Sequence, residues 1–355
     1  MPGKGDFYPS KRGEKSALEN NANHGDFNMH RNQALLLACA VLGTLASSTP
    51  ARAQAAVSVN GMLDLGVFHG FDGVNQVGTV QRSNIAFSGF EDLGGGVKAV
   101  FRMSTRVELD TGISEGAGFK PFWHDEATVG LKGGWGTVRV GRAMTAMWAQ
   151  DWKFDPWANY NRIASPAWQH WHYLTPSDPF ANNGTAEYGR LNNGMFYDSP
   201  MVGGFTLRLS GSPERQREPG ATGRPYSAVL EYERKAVLLM AAFERNSVGD
   251  NNAFVAGKLT FGAAAVMAAY DDSRTFDDSG ISRSATLSAT YRLGRTTLKA
   301  GYSRQRLNAD TNYVASLGAD HALSRRTVLY ASLGRKRDAR QDGRTAFGVG
   351  MSHAF

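Results

Sequence analysis

The amino-acid sequence predicts an all-β protein, a transmembrane antiparallel β-barrel of about sixteen strands. Apolar and polar residues alternate with a period of two over most of the chain after residue 56, the pattern of strands with one apolar face. Gly, Asn, Asp and Ser separate these runs at intervals of about ten residues. The 355 residues include 41 Gly, 19 Phe and 12 Tyr but only 12 Pro, a composition typical of many short strands joined by tight turns.

The N-terminal region has the features of a secretory signal. Arg31 supplies a positive charge, residues 34–45 form an apolar segment of signal-peptide length, and Ala51 and Ala53 supply an A-x-A cleavage site. We predict a signal peptide over residues 29–53, initiated at Met29, and a mature barrel over residues 54–355. Residues 1–28 are interpreted as a polar extension upstream of the true start. The alternative is an extended signal region that includes them.

Charge, cysteine content and motifs exclude several classes of function. The only cysteine, Cys39, lies in the predicted signal, so the mature chain has no disulfide or thiolate site. The first 53 residues carry six Lys or Arg and four Asp or Glu, which leaves the mature chain a net charge of +5, spread along strands rather than gathered as nucleic-acid binding requires. No run of 18 uncharged apolar residues follows residue 50, so membrane helices are excluded. The pair His170 and His172 has no partners at metal-ligand or catalytic spacing. We therefore predict no enzymatic activity, no cofactor and no metal.

The alternating segments place apolar residues on one face and polar or small residues on the other. Their connections have two lengths, as expected of a membrane barrel whose short turns face the periplasm and whose long loops face outside. The short Gly-rich turns are predicted at residues 91–96, 132–136, 199–204 and 292–295, and the longer polar connections at 110–120, 213–225, 271–280 and 335–344.

The third long connection, residues 143–188, is far longer than the others and contains five tryptophans, at positions 148, 152, 157, 168 and 171. An irregular segment of this length is uncommon unless it is functional or packed within the molecule. We therefore expect it to fold into the barrel lumen and to constrict it.

Several motifs carry a resemblance to a known family. Residues 57–66, 88–99, 127–132, 136–142 and 192–200 are similar, in order and spacing, to segments of the general diffusion porins of β-proteobacteria, and the similarity covers nearly the whole mature chain. The resemblance implies a homotrimer in the outer membrane of a Gram-negative bacterium, in contact with lipid and lipopolysaccharide. It implies a water-filled channel for passive diffusion of small hydrophilic solutes.

The C-terminal segment resembles the signal that the barrel-assembly machinery reads in these proteins. Apolar and aromatic residues alternate with small or polar ones up to a terminal aromatic residue. The residues of this predicted signal are Phe347, Val349, Met351, His353 and Phe355.

Arginines on inward positions are the candidate pore residues. Parity places Arg102, Arg106 and Arg139 toward the lumen, the resemblance matches Arg82 to a basic residue of the family's eyelet, and Arg142 ends the same motif as Arg139. The resemblance further implies a transverse field between these arginines and the acids of the third loop. Those acids are Asp151, Asp155, Asp178 and Glu187.

Two departures from the family make the wall more basic. Ser104 stands where many relatives carry Glu, and Arg102 and Arg139 stand where neutral polar residues are usual. Because rings of Arg favour anions, we predict an anion-selective channel. In the alternative reading, individual arginines pair with carboxylates on neighbouring strands. Two other functions remain open, a substrate-specific channel for sugars or aromatic acids lined by the tryptophans, and a soluble secreted β-sandwich adhesin.

Overall fold

A computed structural model describes residues 55–116, 120–174, 189–213 and 223–355. The predicted signal peptide and upstream extension lie outside these residues. The described chain forms one sheet of eighteen strands. In chain order the strands are β1 (Ala55–His69), β2 (Asn75–Gly78), β3 (Asn84–Gly94), β4 (Val97–Glu108), β5 (Ile113–Ser114), β6 (Glu126–Gly133), β7 (Gly136–Met144), β8 (Arg190–Asp198), β9 (Phe205–Gly211), β10 (Tyr226–Arg234), β11 (Val237–Arg245), β12 (Asn251–Phe261), β13 (Ala264–Arg274), β14 (Ile281–Leu293), β15 (Thr296–Leu307), β16 (Asp310–Ala322), β17 (Thr327–Arg337) and β18 (Arg344–Ala354).

Sixteen of the strands in the described residues form a closed antiparallel wall. Each pairs with its neighbours along the chain, and β1 closes the ring by pairing with β3 on one side and β18 on the other. The register with β18 runs from Met62 opposite Ala354 to His69 opposite Phe347. The short strands β2 and β5 belong to the connections after β1 and β4. The prediction of a barrel with about sixteen strands is confirmed.

The two faces of the wall differ as the sequence pattern predicts. The outer face exposes apolar side chains such as Leu287, Leu298 and Leu317, which are 58%, 43% and 59% exposed. Alternate residues on the inner face, such as Ser284 and Ser303, are buried. No second sheet covers the outer rows in the described residues, so the β-sandwich alternative is wrong.

Short turns lie at one end of the wall, hereafter the turn end. The longer connections lie at the other, the loop end, where the two-residue connection between β15 and β16 is an exception. The turn between β3 and β4 shows why the short turns need glycine. Gly94, Gly95 and Gly96 have φ values of 84°, 59° and 79°, a region that residues with a Cβ rarely adopt. The Asp92 Oδ1 atom accepts a hydrogen bond of 2.9 Å from the Gly94 amide, which closes the turn.

The connection after β7, described up to residue 174, contains two short helices. A 3-10 helix spans Asp151–Phe154, and an α-helix, α1, spans Pro166–His170. Ser165 caps α1, because its hydroxyl accepts a hydrogen bond of 3.0 Å from the Trp168 amide. Neither described helix is long and apolar enough to cross a membrane.

Apolar side chains of this connection pack against the inner face of the wall. Phe154 and Trp171 share a buried cluster with Val229, Met240 and Phe254, which alternate with the exposed residues of β10, β11 and β12. A second cluster joins Trp157 and Ile163 to Phe68 on β1 and Tyr330 on β17. Glycine at position 334 is part of this fit, because a Cβ there would collide with the Ile163 carbonyl.

Hydrogen bonds reinforce this packing. The Trp171 Nε1 atom donates to the Thr286 hydroxyl at 2.9 Å, and the Met147 amide donates to the Ser227 hydroxyl at 3.1 Å. Both hydroxyls belong to the inner face. The long connection is thus fastened over a wide arc of the wall.

Candidate functional site

A cavity of about 560 Å³ lies between the connection after β7 and the wall strands β1, β4 and β7. Polar and apolar groups contribute about equally to its lining, and its charged groups are mostly basic. The charged and aromatic residues that line it are Arg82, Arg102, Arg139, Arg190, Asp125, Glu126, Trp152, Tyr160 and Phe355. Four arginines therefore face two carboxylates.

Arg102 on β4 and Arg139 on β7 share one carboxylate, Glu126 at the start of β6. The Arg139 Nη1 atom lies 2.7 Å from Glu126 Oε1, and the Arg102 Nε atom lies 3.2 Å from Oε2. Both arginines project from the inner face, as parity predicts. Both also form ion pairs with a carboxylate on a neighbouring strand, as the alternative interpretation expects. The two arginines therefore line the cavity and form ion pairs at the same time.

The same pairing continues around the inner face as an ion-pair chain. Asp198 on β8 lies 3.4 Å from Arg139 and 2.9 Å from Arg208 on β9. Arg208 approaches Glu231 on β10 at 3.9 Å, and Glu231 binds Lys153 of the long connection at 2.7 Å. The ion-pair chain comprises Arg102, Glu126, Arg139, Asp198, Arg208, Glu231 and Lys153. Cations and anions alternate along it and both of its ends are cations, so the ion-pair chain carries a net positive charge.

Arg82 has a different environment. It follows β2 in a segment held by Asp64, whose Oδ1 atom accepts hydrogen bonds from the Val80 and Gln81 amides at 2.9 and 2.8 Å. Its guanidinium carbon lies 3.9 Å from the centre of the Tyr160 ring, a cation–π contact. Within the described residues no carboxylate lies within 4 Å of it. Burial, and next the nearby Arg106 charge, lower the pKa of Arg82 to about 10, so the side chain is a cation at neutral pH.

Asp125 is a carboxylate of the lining that gathers basic groups around it, Arg190 within the lining and Arg106 outside it. It lies 2.5 Å from Arg190 and 3.0 Å from Arg106, and it accepts a hydrogen bond of 2.9 Å from the Ser104 hydroxyl. Burial alone would raise the pKa of Asp125, but Arg190 and Arg106 outweigh it and hold that pKa well below its usual range. The carboxylate is therefore ionised at any pH at which the barrel functions.

Arg106 and Arg142 do not line the cavity, contrary to prediction. Arg106 is 7% exposed and is held by Asp125 and by Glu115 at 3.5 Å. Arg142, also 7% exposed, donates to the His124 carbonyl at 2.6 Å and to the Asn192 side chain. A bulge between Gly141 and Ala143 interrupts the alternation there, so parity does not carry across it.

Asp151 and Asp155 do not face the arginines either. Asp151 is 1% exposed and binds His172 at 3.0 Å. Asp155 accepts hydrogen bonds of 2.9 Å from the Ser165 hydroxyl and from the Asn159 amide, and burial raises its pKa to about 6. A packed irregular segment leaves backbone amides without partners, and its short carboxylates satisfy them. Asp178 and Glu187 lie outside the described residues.

His172 links the long connection to the wall, an arrangement hereafter called the His172 clamp. Its two ring nitrogens lie 3.0 Å from Asp151 of the same connection and 2.8 Å from Asp271 on β13. All three side chains are almost fully buried. Burial alone would lower the pKa of His172, but Asp271 and Asp151 outweigh it and raise the pKa to about 10. The two acids therefore favour the imidazolium form of His172, while burial raises the pKa of Asp151.

The five tryptophans do not form a continuous track. Trp157 and Trp171 are 2% and 1% exposed and belong to the two apolar clusters. Trp148 packs against the first cluster. Trp152 lines the cavity and Trp168 is exposed elsewhere on the connection.

Among the charged residues and the tyrosine of the cavity lining, sequence reasoning missed Asp125, Glu126, Arg190 and Tyr160. Glu126 could have been found, because it shares the inward parity of Thr128 on β6 and lies opposite Ser104 in the register. Asp125, Arg190 and Tyr160 lie at or beyond strand ends, where no alternation assigns a face.

The predicted assembly signal forms the closing strand. Phe347, Val349 and Met351 are 55%, 59% and 48% exposed on the outer face. The His353 Nδ1 atom lies 2.9 Å from the Thr327 hydroxyl. Phe355 exchanges backbone hydrogen bonds with Gly61 on β1, at 3.1 and 3.2 Å.

Comparisons with known proteins agree with this architecture. The family model described as Gram-negative porin matches residues 38–341. Major outer membrane protein P.IB of Neisseria meningitidis serogroup B is 26% identical over 350 residues, covering 87% of this chain and 97% of its own. Outer membrane porin protein 32 of Delftia acidovorans is 26% identical over 338 residues, covering 87% and 92%.

Solved structures show the same fold. The anion-selective porin from Comamonas acidovorans matches with a TM-score of 0.72 at 22% identity, covering 85% of this chain and all of that one. OmpT of Vibrio cholerae in its trimer form matches with a TM-score of 0.61 at 13% identity, covering 85% and 99%. Since the family model spans most of the chain and the closed wall has the matching fold, this protein belongs to the Gram-negative porin family, the channels of the outer membrane.

Proposed function

We propose that the channel is a passive diffusion pore for small hydrophilic solutes and that it prefers anions. The observation that carries this proposal is the cavity lining, in which four arginines face two carboxylates. Excess positive charge in a narrow aqueous passage raises the local concentration of anions and lowers that of cations. The similar porin from Comamonas acidovorans is described as anion-selective, which supports the same assignment.

The connection after β7 is the proposed constriction. Its apolar residues pack on the inner face of β10–β12, while Trp152 and Tyr160 meet the arginines of β4 and β7 across the cavity. A segment fixed on one arc of the wall narrows the passage toward the opposite arc. In this proposal the solute path runs beside Arg82, Arg102 and Arg139, which line the cavity.

The function requires no turnover, cofactor or metal, since selectivity follows from pore width and charge. A substrate-specific channel would need a stacking surface, and the burial of Trp157 and Trp171 removes two tryptophans from that role. Conductance should therefore rise linearly with solute concentration. Saturable block by a sugar or an aromatic acid would favour the specific channel.

The reversal potential of the refolded protein tests the proposal. In a planar bilayer under a potassium chloride gradient, we expect the sign that corresponds to chloride passing faster than potassium. The preference should weaken at high salt, because the Debye length falls to about 3 Å at 1 M. Cation preference would refute the assignment of the lining arginines.

We also propose that the protein forms a homotrimer. Small residues on the outer face of β1 and β4, Gly61 and Ala99, allow a partner to approach closely, and OmpT of Vibrio cholerae has a trimer form. An unheated sample should migrate on a denaturing gel at about three times the mass of a heated one. A single monomer band in both lanes would contradict the trimer.

The C-terminal strand is the proposed signal for the barrel-assembly machinery. Deletion of Phe355 removes the terminal aromatic residue and its backbone pairing with Gly61. The amount of heat-modifiable protein recovered from the outer membrane should fall on the same gel, and unchanged recovery would contradict the signal.

A further inference from the structure

Five exposed arginines lie on the outer face at the loop end of β14, β15 and β17. Each shares the parity of an exposed apolar residue on its own strand, such as Leu287 on β14, Tyr302 on β15 or Leu333 on β17. They therefore point away from the lumen. These five residues, hereafter the arginine patch, are Arg283, Arg304, Arg306, Arg335 and Arg337.

The strand register makes the patch continuous. Arg306 lies directly opposite Arg283, and Tyr313 on β16 lies between Arg304 and Arg337 as the register partner of both. Directly opposed side chains on one sheet face have Cβ atoms about 5 Å apart, and like charges in such a pair are unfavourable. A ligand of opposite charge would offset such an arrangement.

The patch has little compensation within the protein. Arg283 pairs with Asp272 at 3.0 Å. In the described chain no carboxylate lies within 4 Å of Arg304, Arg306, Arg335 or Arg337. Arg335 donates a hydrogen bond of 3.1 Å to the Thr345 hydroxyl, which is neutral.

The position of the patch indicates what the ligand is. Tyr302 and Tyr313, whose ring centres lie 6.4 Å apart, stand on the same outer face, and aromatic residues mark the membrane interface of barrels. Arg304 and Arg306 follow Tyr302 by two and four residues, about 7 and 13 Å along the strand. That distance places their guanidinium groups at headgroup depth.

The patch is confined to one arc. Among the arginines in the described residues up to 198, none is exposed on the outer face, so the loop ends of β1–β8 have no counterpart. Arg245 at the loop end of β11 is exposed on the outer face, but its register partners are Tyr226 and Asn251 rather than arginines. If the arginines served only to keep the rim of the barrel soluble, they would be distributed around its whole circumference. Their concentration on β14–β17 indicates a local function.

We propose that the arginine patch binds the phosphate groups of a phosphorylated lipid headgroup in the outer leaflet. Guanidinium groups bind phosphate oxygens through paired, charge-assisted hydrogen bonds, and basic clusters beside the membrane bind anionic headgroups. The acyl chains of the same lipid would lie along the exposed apolar rows below the patch. Lipopolysaccharide has this chemistry, and the patch assigns residues to its contact.

The test measures lipid retention by native mass spectrometry of the refolded protein in detergent micelles with diphosphoryl lipid A. The variant replaces Arg304, Arg306, Arg335 and Arg337 by Gln, and the control replaces Arg325 and Arg326, which are exposed at the turn end between β16 and β17. We expect the fourfold variant to retain the lipid about tenfold less strongly or weaker still. The control should match the wild type.

Two further measurements use the wild-type protein and do not depend on the folding of the fourfold variant. Wild-type protein should retain lipid A that lacks both phosphates at least tenfold less than the diphosphoryl form, and inorganic phosphate at equal concentration should not displace the lipid. Equal retention of both lipids, equal loss in the control variant, or displacement by inorganic phosphate would each overturn the proposal.

Discussion

Exchange of Arg82 and Arg102 for glutamate should reverse the ion preference of the channel. Four arginines now face two carboxylates in the cavity, and the double variant R82E/R102E would leave two arginines facing four carboxylates. Because the passage is narrow, the permeability ratio of chloride to potassium should shift on the order of tenfold. The reversal potential under a salt gradient should change sign.

The matched control is R325E/R326E, which changes the total charge by the same amount in the exposed turn between β16 and β17. Its reversal potential should stay close to that of the wild type. If the control shifts the potential as far as R82E/R102E does, selectivity comes from the overall charge of the protein rather than from the cavity.

Replacement of His172 by phenylalanine should destabilise the barrel strongly. The change leaves the buried carboxylates of Asp151 and Asp271 without their shared cation, and removal of one partner from a buried ion pair costs about 3–5 kcal/mol. The free energy of unfolding, measured by urea titration in lipid vesicles, should fall by that amount. Adding D271N to H172F should restore part of the loss, because it removes one of the uncompensated charges.

The His172 clamp also predicts a pH dependence. The pKa of His172 rises from an ordinary value of 6.5 to about 10 in the folded protein, so folding favours the protonated ring. The clamp's contribution to stability is complete below about pH 6.5 and is lost as the pH rises through 10. The free energy of unfolding of the wild type should therefore fall between these values, and that of H172F should fall much less.

A control histidine separates the clamp from general effects. His321 is exposed on the outer face of β16, and H321F should change the free energy of unfolding by no more than about 0.5 kcal/mol. If H172F behaves as H321F does, the clamp does not hold the long connection to the wall.

The sequence predicted the wall well because alternation is a strong physical signal. A strand between lipid and interior must carry apolar residues at every second position, and Leu287, Leu298 and Leu317 follow this rule in consecutive strands. Glycine runs such as Gly94–Gly96 marked the turns, because only glycine adopts their backbone conformation readily. The strand count and the inward positions of Arg102 and Arg139 follow from these two signals.

Prediction failed where alternation ends. Arg142, predicted as a pore residue from the motif it shares with Arg139, lies at the bulge beside Gly141 and binds the His124 carbonyl and Asn192. The acids of the long connection were predicted as pore residues, although Asp151 and Asp155 satisfy polar groups within a packed segment. Arg190 and Tyr160 enter the cavity from positions whose orientation depends on tertiary packing. No local sequence pattern predicts that packing.

The pairing of β1 with β18 has a kinetic consequence. The first and last wall strands meet although almost the entire barrel sequence separates them, so the closing contact is highly non-local, and such contacts are slow to form. Until β18 arrives, β1 and β17 keep unpaired backbone groups that hydrocarbon does not tolerate. Folding intermediates must therefore be kept from aggregation until the final eleven-residue strand, Arg344–Ala354, docks and completes the ring.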